Sequence, residues 1–325
     1  AKRPVILAGH GVLIAGAQEE LAALAHTMDT PVTTTLLGKG AFDENHSLSL
    51  GMLGMHGTAY ANKAIMHCDC VVSIGSRWDD RILGNPATFC AQATKGHIDI
   101  DGAEHNKMVK TDVFIHGDAA SVLRELLPLV KKGVTGPWLK QIAQWKKEFP
   151  LHYDKKGGLK AQAVLESLSN LTKGEAVYTT DVGQHQMWAA QFCTVRRPNN
   201  WLSSGGAGTM GFGFPAAIGA QLGRPNDLVV AIVGDGGFQM TEAELSTAAI
   251  HKLPIKILIL DNKYLGMVRQ WQELFYERRY SASPISGPDF VRIGEAYGIK
   301  SLRVTEKAGI RPALLEAQEH DGPVV

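Results

Sequence analysis

The residues best suited to metal and phosphate chemistry directly follow two apolar runs in the second half of the chain. Asp235, in the sequence Gly-Asp-Gly-Gly, follows an apolar run at 228–233, and Asn262 follows another at 255–260. The 27 residues from Asp235 to Asn262 match one β-α-β crossover. We therefore predict that both side chains lie at the carboxyl ends of adjacent parallel strands, where open α/β sheets bind ligands.

These residue types suit the binding of Mg²⁺. This hard cation prefers oxygen and is usually held by one or two protein groups together with phosphate oxygens. Asp235 offers a carboxylate, Asn262 an amide oxygen and the turn that follows a backbone carbonyl, while the glycines beside Asp235 leave room for a diphosphate. The alternative is a plain strand–loop junction in which Asp235 caps the backbone.

Two other segments indicate a ligand that is both anionic and flat. Gly183 opens a helical pattern with Gln184 and His185 at its N-terminus, a position that favours anions. A glycine-rich run at 203–219 lets the backbone approach a flat ligand, with Met210 as a polarizable wedge. The alternatives are a cap or a core position for His185, and a tight helix–sheet contact with Met210 as core filler.

The elements that must position these residues alternate between short β-rich runs and helical patterns. This alternation predicts an α/β fold of two consecutive domains, each a mostly parallel sheet with helices on both faces. The expected domains are 1–135, a linker and bridging helix at 136–160, and 161–325, which reads as C-terminally truncated. The expected strands are 5–8, 31–35, 71–74, 97–100, 113–115, 176–180, 228–233, 255–260 and a candidate at 300–304; the expected helices are 18–28, 119–130, 138–148, 160–170 and 241–251.

Composition excludes several classes of protein. With 45% hydrophobic and 20% charged residues, the 325-residue chain is globular and long enough for a large core. The net charge of +1 does not suggest nucleic-acid binding, and no apolar run approaches the ~20 residues of a membrane helix. Four cysteines with a single C-x-C favour reduced thiols over a disulfide scaffold or a zinc site. We expect a cytoplasmic protein, with a plastid as the alternative.

Several motifs resemble those of thiamine-diphosphate enzymes, most closely the acetohydroxyacid synthase (acetolactate synthase) family. In the second half they are DVGQHQMWAAQ at 181–191, the glycine run that leads to Met210, Gly-Asp-Gly at 234–236 with Asn262, and LGMVRQW at 265–271. In the first half, GMLGMHG at 51–57, RWDDR at 77–81 and HIDID at 97–101 resemble the FAD-binding domain of that family. The resemblance covers essentially the whole chain.

The resemblance implies a carboligase. Such an enzyme decarboxylates pyruvate on thiamine diphosphate and condenses the enamine with a second 2-keto acid, either pyruvate or 2-ketobutyrate. The products are acetolactate or acetohydroxybutyrate, on the route to branched-chain amino acids. The cofactor supplies the carbanion chemistry, the protein supplies orientation and electrostatics, and the flavin has no redox role in the carboligation.

The resemblance also implies roles for individual residues. Asp235, Asn262 and the Tyr264 carbonyl would hold Mg²⁺, and Met210 would keep the cofactor bent. Arg81 would face the substrate carboxylate and Trp271 would shape the pocket for the second keto acid; the alternatives are a surface ion pair for Arg81 and core packing for Trp271. The residues that would bind thiamine diphosphate are Gln184, His185, Gly208, Gly236, Gly237, Leu265, Gly266 and Met267.

An FAD site is implied for the first half. Its residues would be Gly9, His10, Gly11, Leu36, Leu53, Gly54, His56, Gly75, Arg77, Asp99, Asp101 and Asp118. By themselves, the glycine turns after strands and the acid at a strand end indicate a nucleotide site without distinguishing FAD from NAD.

The chain also departs from the family pattern. Asp261 stands where a first Asn is usual, and Trp78 replaces Phe. No glutamate matches the one that activates the cofactor, which the family carries on a pyrimidine-binding domain. We therefore expect that domain on another chain or in a longer protein, a homodimer or tetramer, and a regulatory subunit of the kind this family often has. Two other functions stay open: a related enzyme of the pyruvate oxidase or glyoxylate carboligase type, and a non-catalytic cofactor-binding module.

Overall fold

The computed structural model describes all residues from Ala1 to Val325, which form two compact units. The first unit comprises Ala1–His152 together with Thr194–Asn199. The second comprises Tyr153–Cys193 together with Asn200–Val325. The short segment at 194–199 thus belongs to the first unit although it lies within the sequence of the second.

The first unit contains a six-stranded parallel sheet. Its strands are β1 (Pro4–Ala8), β2 (Val32–Thr34), β3 (Ser49–Met52), β4 (Cys70–Ile74), β5 (Thr94–Asp99) and β6 (Val113–His116). They lie in the order β3-β2-β1-β4-β5-β6, and every neighbouring pair is parallel. This is the strand order of dinucleotide-binding sheets, in which the winding direction reverses between β1 and β4 and leaves a crevice at their carboxyl ends.

Helices cover both faces of this first sheet. They are α1 (His10–Ile14), α2 (Gln18–Thr27), α3 (Ala59–His67), α4 (Asp80–Leu83), α5 (Ala119–Leu126) and α6 (Gly136–Glu148). Side chains alternate along β1, so that Val5 and Leu7 join a core with α3 and α6 while Ile6 and Ala8 join a core with α2 and α5. The α/β architecture predicted from continuous apolar strands is confirmed for this unit.

Helix α6, which the sequence pattern placed in a linker, contributes to the core of the first unit. Its Trp138 and Ile142 are buried, and the Trp138 indole Nε1 donates a hydrogen bond to the Pro4 carbonyl at 3.0 Å. The polar run that precedes α6 therefore does not mark the end of the first unit.

The second unit contains a four-stranded parallel sheet. Its strands are β7 (Val177–Thr180), β8 (Trp201–Ser203), β9 (Val229–Gly234) and β10 (Lys256–Leu260), in the order β10-β9-β7-β8. Its helices are α7 (Ala161–Thr172), α8 (Gln184–Phe192), α9 (Gly213–Gly223), α10 (Asp235–Gln239), α11 (Leu245–Ile250), α12 (Gly266–Phe275), α13 (Phe290–Ala296) and α14 (Ile310–Glu319). The central strand β9 is buried along its whole length, as expected for a parallel sheet covered on both faces.

Some predicted elements differ from the structure. The helix expected over 241–251 is preceded by α10, which begins at Asp235 itself, and is then split into a 3₁₀ turn and α11. The strand candidate at 300–304 is reduced to one bridge between Lys300 and Val324. The short strands β3 and β8 and the glycine-rich helix α9 were missed, because their sequences carry too few β-branched residues or too many glycines for a propensity signal. None of the helices has both the length and the apolar character needed to cross a bilayer.

Candidate functional site

Asp235 and Asn262 lie at the carboxyl ends of neighbouring strands, as predicted from their spacing. Strands β9 and β10 pair in parallel, with Gly234 opposite Leu260. Asp235 is the next residue after β9 and the first residue of α10, and its side chain is 3% exposed. A buried carboxylate therefore stands at the sheet edge where ligands of α/β folds bind.

The electrostatics around Asp235 favour a cation. Burial, together with a hydrogen bond to the nearby Asp261 carboxyl, raises the pKa of Asp235 to about 6. The backbone N–H of Lys263 donates to Asp235 Oδ2 at 2.7 Å, and Lys263 Nζ lies 2.7 Å from Asp261 Oδ2. A divalent cation would compensate the negative charge that burial makes costly here.

The turn that carries Asn262 is held in place by the backbone. Tyr264 N–H donates to Asn262 Oδ1 at 2.9 Å, which leaves a second lone pair on that oxygen for a metal. Leu265 N–H donates to the Ser283 carbonyl at 2.8 Å, and Ile285 N–H donates to the Lys263 carbonyl at 3.0 Å. Hydrogen bonds with residues 283–285 thus hold in place the turn whose oxygens could bind a metal. No group of three or more His, Cys, Asp or Glu side chains forms a metal cluster, so a cation here would depend on this mixed set of oxygens.

A helix N-terminus with an unpaired polar atom lies beside these oxygens. His185, in the first turn of α8, is buried, and its Nε2 has no hydrogen-bond partner. Burial lowers the pKa of His185 to about 4, so the imidazole is neutral at pH 7. Gly234 lies against the imidazole ring, so close that a Cβ on Gly234 would be only 2.8 Å from His185 Nδ1. A free ring nitrogen at a helix N-terminus suits a phosphate oxygen.

The neighbouring Gln184 is oriented by α12. Its Nε2 donates to Gln270 Oε1 at 2.7 Å. Gly266, the first residue of α12, passes so close to the Gln184 amide that a Cβ would overlap it. Sequence reasoning missed Gln270, although its place beside Trp271 in the LGMVRQW motif was a signal that could have identified it.

Asp181 is a second residue that the site prediction omitted. It is fully buried at the end of β7, and its Oδ1 accepts hydrogen bonds from Val182 N–H at 2.7 Å and Gly211 N–H at 2.8 Å. Its Oδ2 has no partner and faces Gly237, where a Cβ would overlap the carboxylate. Asp181 therefore ties the glycine-rich run to the start of α10. Its position at the end of a strand was the available signal.

Met210 directly precedes Gly211, which Asp181 holds by a hydrogen bond. Gly211 follows it with a left-handed backbone (φ +87°), and Asp181 fixes the Gly211 N–H. A Cβ on Gly236 would lie 3.5 Å from Met210 Cε, 3.0 Å from Leu265 Cδ2 and 3.1 Å from Ile285 Cδ1. These side chains form an apolar patch next to the acidic oxygens. The structure thus brings most of the predicted second-unit residues together.

The remaining second-unit candidates lie at the edges of this group. Gly208 lies in an exposed loop with φ +67°, and Met267 lies in the first turn of α12. Trp271 is half-buried, and its ring stacks on Phe275 with centroids 4.9 Å apart. Helix α12 buries none of its side chains fully, so its apolar residues line a surface.

In the first unit, three predicted glycines meet at the crevice between β1 and β4. A Cβ on Gly9 would overlap the Gly75 carbonyl, and a Cβ on Gly11 would lie 2.6 Å from Gly75 Cα. Gly9 N–H donates to the Ile74 carbonyl at 2.9 Å, and Gly11 N–H donates to the Gly75 carbonyl at 3.0 Å. Only glycines allow this approach of backbone to backbone, at the crevice where sheets of this strand order bind ligands.

A second group surrounds the 53–56 turn. Leu53 and Gly54 are buried, and a Cβ on Gly54 would overlap the Arg81 carbonyl. Burial and the nearby Arg81 charge lower the pKa of His56. The Arg81 side chain is 64% exposed on α4, and its Nη1 lies 3.9 Å from Asp80 Oδ2. Arg81 belongs to the first unit, whereas Met210 and Trp271 belong to the second.

The three predicted acids of the first unit bind backbone N–H groups. Asp99 Oδ1 accepts from Asp101 N–H at 2.9 Å, and Asp101 Oδ1 accepts from Ala103 N–H at 2.9 Å. Asp118 is the N-cap of α5, and its Oδ1 accepts from Ser121 N–H at 2.9 Å. Local structure already accounts for one oxygen of each carboxylate. Of the other candidates, His10 and Arg77 are exposed and Leu36 is half-buried.

Comparison with known proteins identifies the class. Residues 1–126 match the central domain of thiamine pyrophosphate enzymes, and residues 181–325 match their C-terminal TPP binding domain. The two matches together cover most of the chain, which therefore belongs to the thiamine pyrophosphate enzyme family.

Individual relatives give a narrower likeness. The chain is 45% identical to the acetolactate synthase large subunit of Cyanidium caldarium over 336 residues, covering 100% of this chain and 57% of that protein. It is 47% identical to the acetolactate synthase large subunit of Corynebacterium glutamicum over 338 residues, covering 100% of this chain and 54% of that protein. It is 43% identical to the acetolactate synthase isozyme 3 large subunit of Escherichia coli over 328 residues, covering 98% of this chain and 57% of that protein. The chain spans a little over half the length of the curated relatives it matches.

Proposed function

We propose that this chain carries the diphosphate-binding and metal-binding half of an acetohydroxyacid synthase, which forms acetolactate from two pyruvates or acetohydroxybutyrate from pyruvate and 2-ketobutyrate. The observation that supports this most is the group at the carboxyl ends of β7, β9 and β10. There a buried carboxylate, an amide oxygen and a neutral histidine at a helix N-terminus adjoin one another. Similarity to acetolactate synthase large subunits along the whole chain supports the choice of reaction.

The residues of the second unit fit thiamine diphosphate with Mg²⁺. Asp235, Asn262 and the Tyr264 carbonyl would hold the metal, and His185 Nε2, which has no protein partner, would donate to or accept from the diphosphate. Gly236 and Gly237 leave space that any larger residue would fill. When bound, thiamine diphosphate supplies the carbanion needed for decarboxylation and carboligation.

The chain's own contribution is positioning. Met210 and Leu265 would support the cofactor from its apolar side, and Gln184 is oriented by Gln270. Arg81 offers a planar guanidinium for the substrate carboxylate, and Trp271 an indole for the acceptor keto acid. Binding energy that orients the cofactor and the substrates in this way lowers the activation barrier, although the protein itself takes no part in bond making.

The first unit fits a dinucleotide, and we propose FAD. The glycine contacts of Gly9, Gly11 and Gly75 at the β1–β4 crevice are what a pyrophosphate needs for close backbone approach. The choice of FAD over a nicotinamide nucleotide depends on the family resemblance alone.

We further propose the partners and location that the family implies. The names of the relatives as large subunits support a regulatory small subunit. We propose a homodimer or tetramer, an activating glutamate supplied by a pyrimidine-binding domain outside these 325 residues, and a cytoplasmic or plastid location.

The test is calorimetric titration of thiamine diphosphate with Mg²⁺ into this chain, with a pyruvate assay in parallel. We expect binding by the wild type and a loss of at least 100-fold in affinity for Asp235→Asn, with no change for the surface control Glu319→Gln. Unchanged affinity in Asp235→Asn would refute the metal assignment. Turnover by this chain alone would refute the assignment of the activating acid to another domain.

Product analysis separates the related reactions. Acetolactate supports the proposal, whereas acetyl phosphate would indicate an oxidase and tartronate semialdehyde a glyoxylate carboligase. Tight cofactor binding with no product, even when an acetolactate synthase N-terminal domain is added, would indicate a non-catalytic binding module.

A further inference from the structure

The proposed Mg²⁺ site contains a second carboxylate that the family pattern does not assign. Gly234 and Leu260 are paired in the β9–β10 register, so Asp235 and Asp261 directly follow the ends of two adjacent strands. Neighbouring strands lie about 4.8 Å apart, which brings the two side chains within reach of each other. Burial and the adjacent Asp261 carboxyl together raise the pKa of Asp235.

Two neighbouring carboxylates repel each other unless a proton or a cation lies between or beside them. Lys263 forms an ion pair with Asp261, and its Nζ lies 2.7 Å from Asp261 Oδ2. The Lys263 side chain is 53% exposed, so water screens its charge, whereas Asp235 is 3% exposed. Lys263 therefore compensates Asp261 at the surface and leaves Asp235 without a buried positive partner.

We infer that Asp261 acts with Asp235 as the second acidic residue of the divalent-cation site and increases its affinity for the metal. This inference depends on the proposed function, since it concerns the same cation. Mg²⁺ is commonly held by one or two carboxylates together with substrate phosphates, so a second acid is compatible with the metal. An asparagine at 261 would keep the shape of the side chain but remove one negative charge.

The experiment uses Mn²⁺ as a spectroscopic substitute for Mg²⁺. Free Mn²⁺ is measured by electron paramagnetic resonance during titration of the chain, with and without inorganic diphosphate. Loss of an outer-shell or additional ligand typically weakens metal affinity by about 10- to 100-fold, and we expect an effect of this size for Asp261→Asn. Asp261→Glu, which retains the charge, should remain within a few-fold of the wild type.

Two controls test the electrostatic origin of the effect. Lys263→Gln removes the competing cation and should tighten Mn²⁺ binding, opposite in sign to Asp261→Asn. Glu319→Gln removes one exposed negative charge from α14 and should leave the affinity unchanged. Circular dichroism and the thermal midpoint verify that each variant is folded.

The outcomes separate this inference from the proposed function. If Asp261→Asn binds Mn²⁺ as tightly as the wild type while Asp235→Asn does not bind, the inference fails and the proposed function stands. If Lys263→Gln weakens binding as much as Asp261→Asn, the effect is one of loop order and the inference fails as well. If neither the wild type nor any variant binds Mn²⁺ in the presence of diphosphate, the metal site of the proposed function itself is wrong.

Discussion

At the scale of single residues, position 237 shows how closely the site is packed. A Cβ on Gly237 would overlap the Asp181 carboxylate, which is fully buried and fixed by two backbone N–H groups. The Asp181 carboxylate therefore has little room to move aside, and overpacking of this kind typically costs about 1–3 kcal/mol. Glycine is needed here for space, since its backbone conformation lies in the ordinary helical region.

We predict that Gly237→Ala lowers the free energy of unfolding by about 2 kcal/mol. The penalty should fall below about 0.5 kcal/mol in an Asp181→Ala background, because the overlapping carboxylate is then absent. Urea denaturation of the four proteins of this cycle measures both values. Gly219→Ala is the matched control: nothing lies within 4 Å of its Cβ position in α9, so alanine should be neutral or stabilising. A penalty that persists without Asp181 would contradict the steric explanation.

His185 gives a pH-dependent prediction. Its pKa falls from 6.5 in the unfolded chain to about 4 in the folded one. Between these values the unfolded state binds the proton and the folded state does not, so this group's contribution is fully present above pH 6.5 and is lost as the pH falls to 4. The contribution amounts to about 3 kcal/mol.

We therefore expect the stability difference between the wild type and His185→Gln to shrink by that amount between pH 7 and pH 4. The buried acids of the site titrate in both proteins, and the subtraction removes their effect. His251→Gln replaces an exposed histidine of the same unit and should leave the pH profile unchanged. A constant difference between the wild type and His185→Gln would show that the imidazole is not held neutral by burial.

At the scale of elements, loops and caps fix the register of the helices that the site needs. Thr58 is the N-cap of α3: its Oγ1 accepts from Ala61 N–H at 3.1 Å and donates to the Leu50 carbonyl at 2.9 Å. The same hydroxyl thus joins α3 to β3, a strand too short to be recognised from its sequence. This connection holds the 53–56 turn, where several flavin-site candidates lie.

We predict that Thr58→Ala destabilises the first unit by about 1–2 kcal/mol, since the helix loses its cap and a buried carbonyl loses its donor. Thr58→Ser keeps the hydroxyl and should retain most of that stability. Chemical denaturation measured by near-ultraviolet circular dichroism tests both. Equal losses in the two variants would assign the effect to the lost methyl group, against the hydrogen-bond explanation.

At the scale of the whole molecule, each unit has its own sheet and its own buried core. The proposed ligands are divided in the same way, with the flavin residues in the first unit and the diphosphate and metal residues in the second. Ligands that bind the folded state stabilise the elements that hold them. Each ligand should therefore protect backbone amides from hydrogen exchange in the unit that binds it.

Hydrogen exchange measured by mass spectrometry tests this division. Inorganic diphosphate with Mg²⁺ should slow exchange at α8, α10 and the 261–266 turn, and FAD should slow it at α1 and residues 75–78. Asp235→Asn should abolish the first effect and leave the second. Protection of the first unit by diphosphate would contradict the assignment of the two ligands.

The sequence by itself determined the α/β class, the adjacency of Asp235 and Asn262 and the membership of the family. All three follow from local order: continuous apolar strands, one crossover of the right length and contiguous motifs. Only the tertiary structure placed α10 at Asp235, assigned α6 to the first core and brought residues 194–199 back to the first unit. It alone revealed the contacts of Asp181 with Gly237 and of Gln184 with Gln270. These pairs are distant in sequence, and the packing of neighbouring strands and helices, which no local pattern encodes, brings them together.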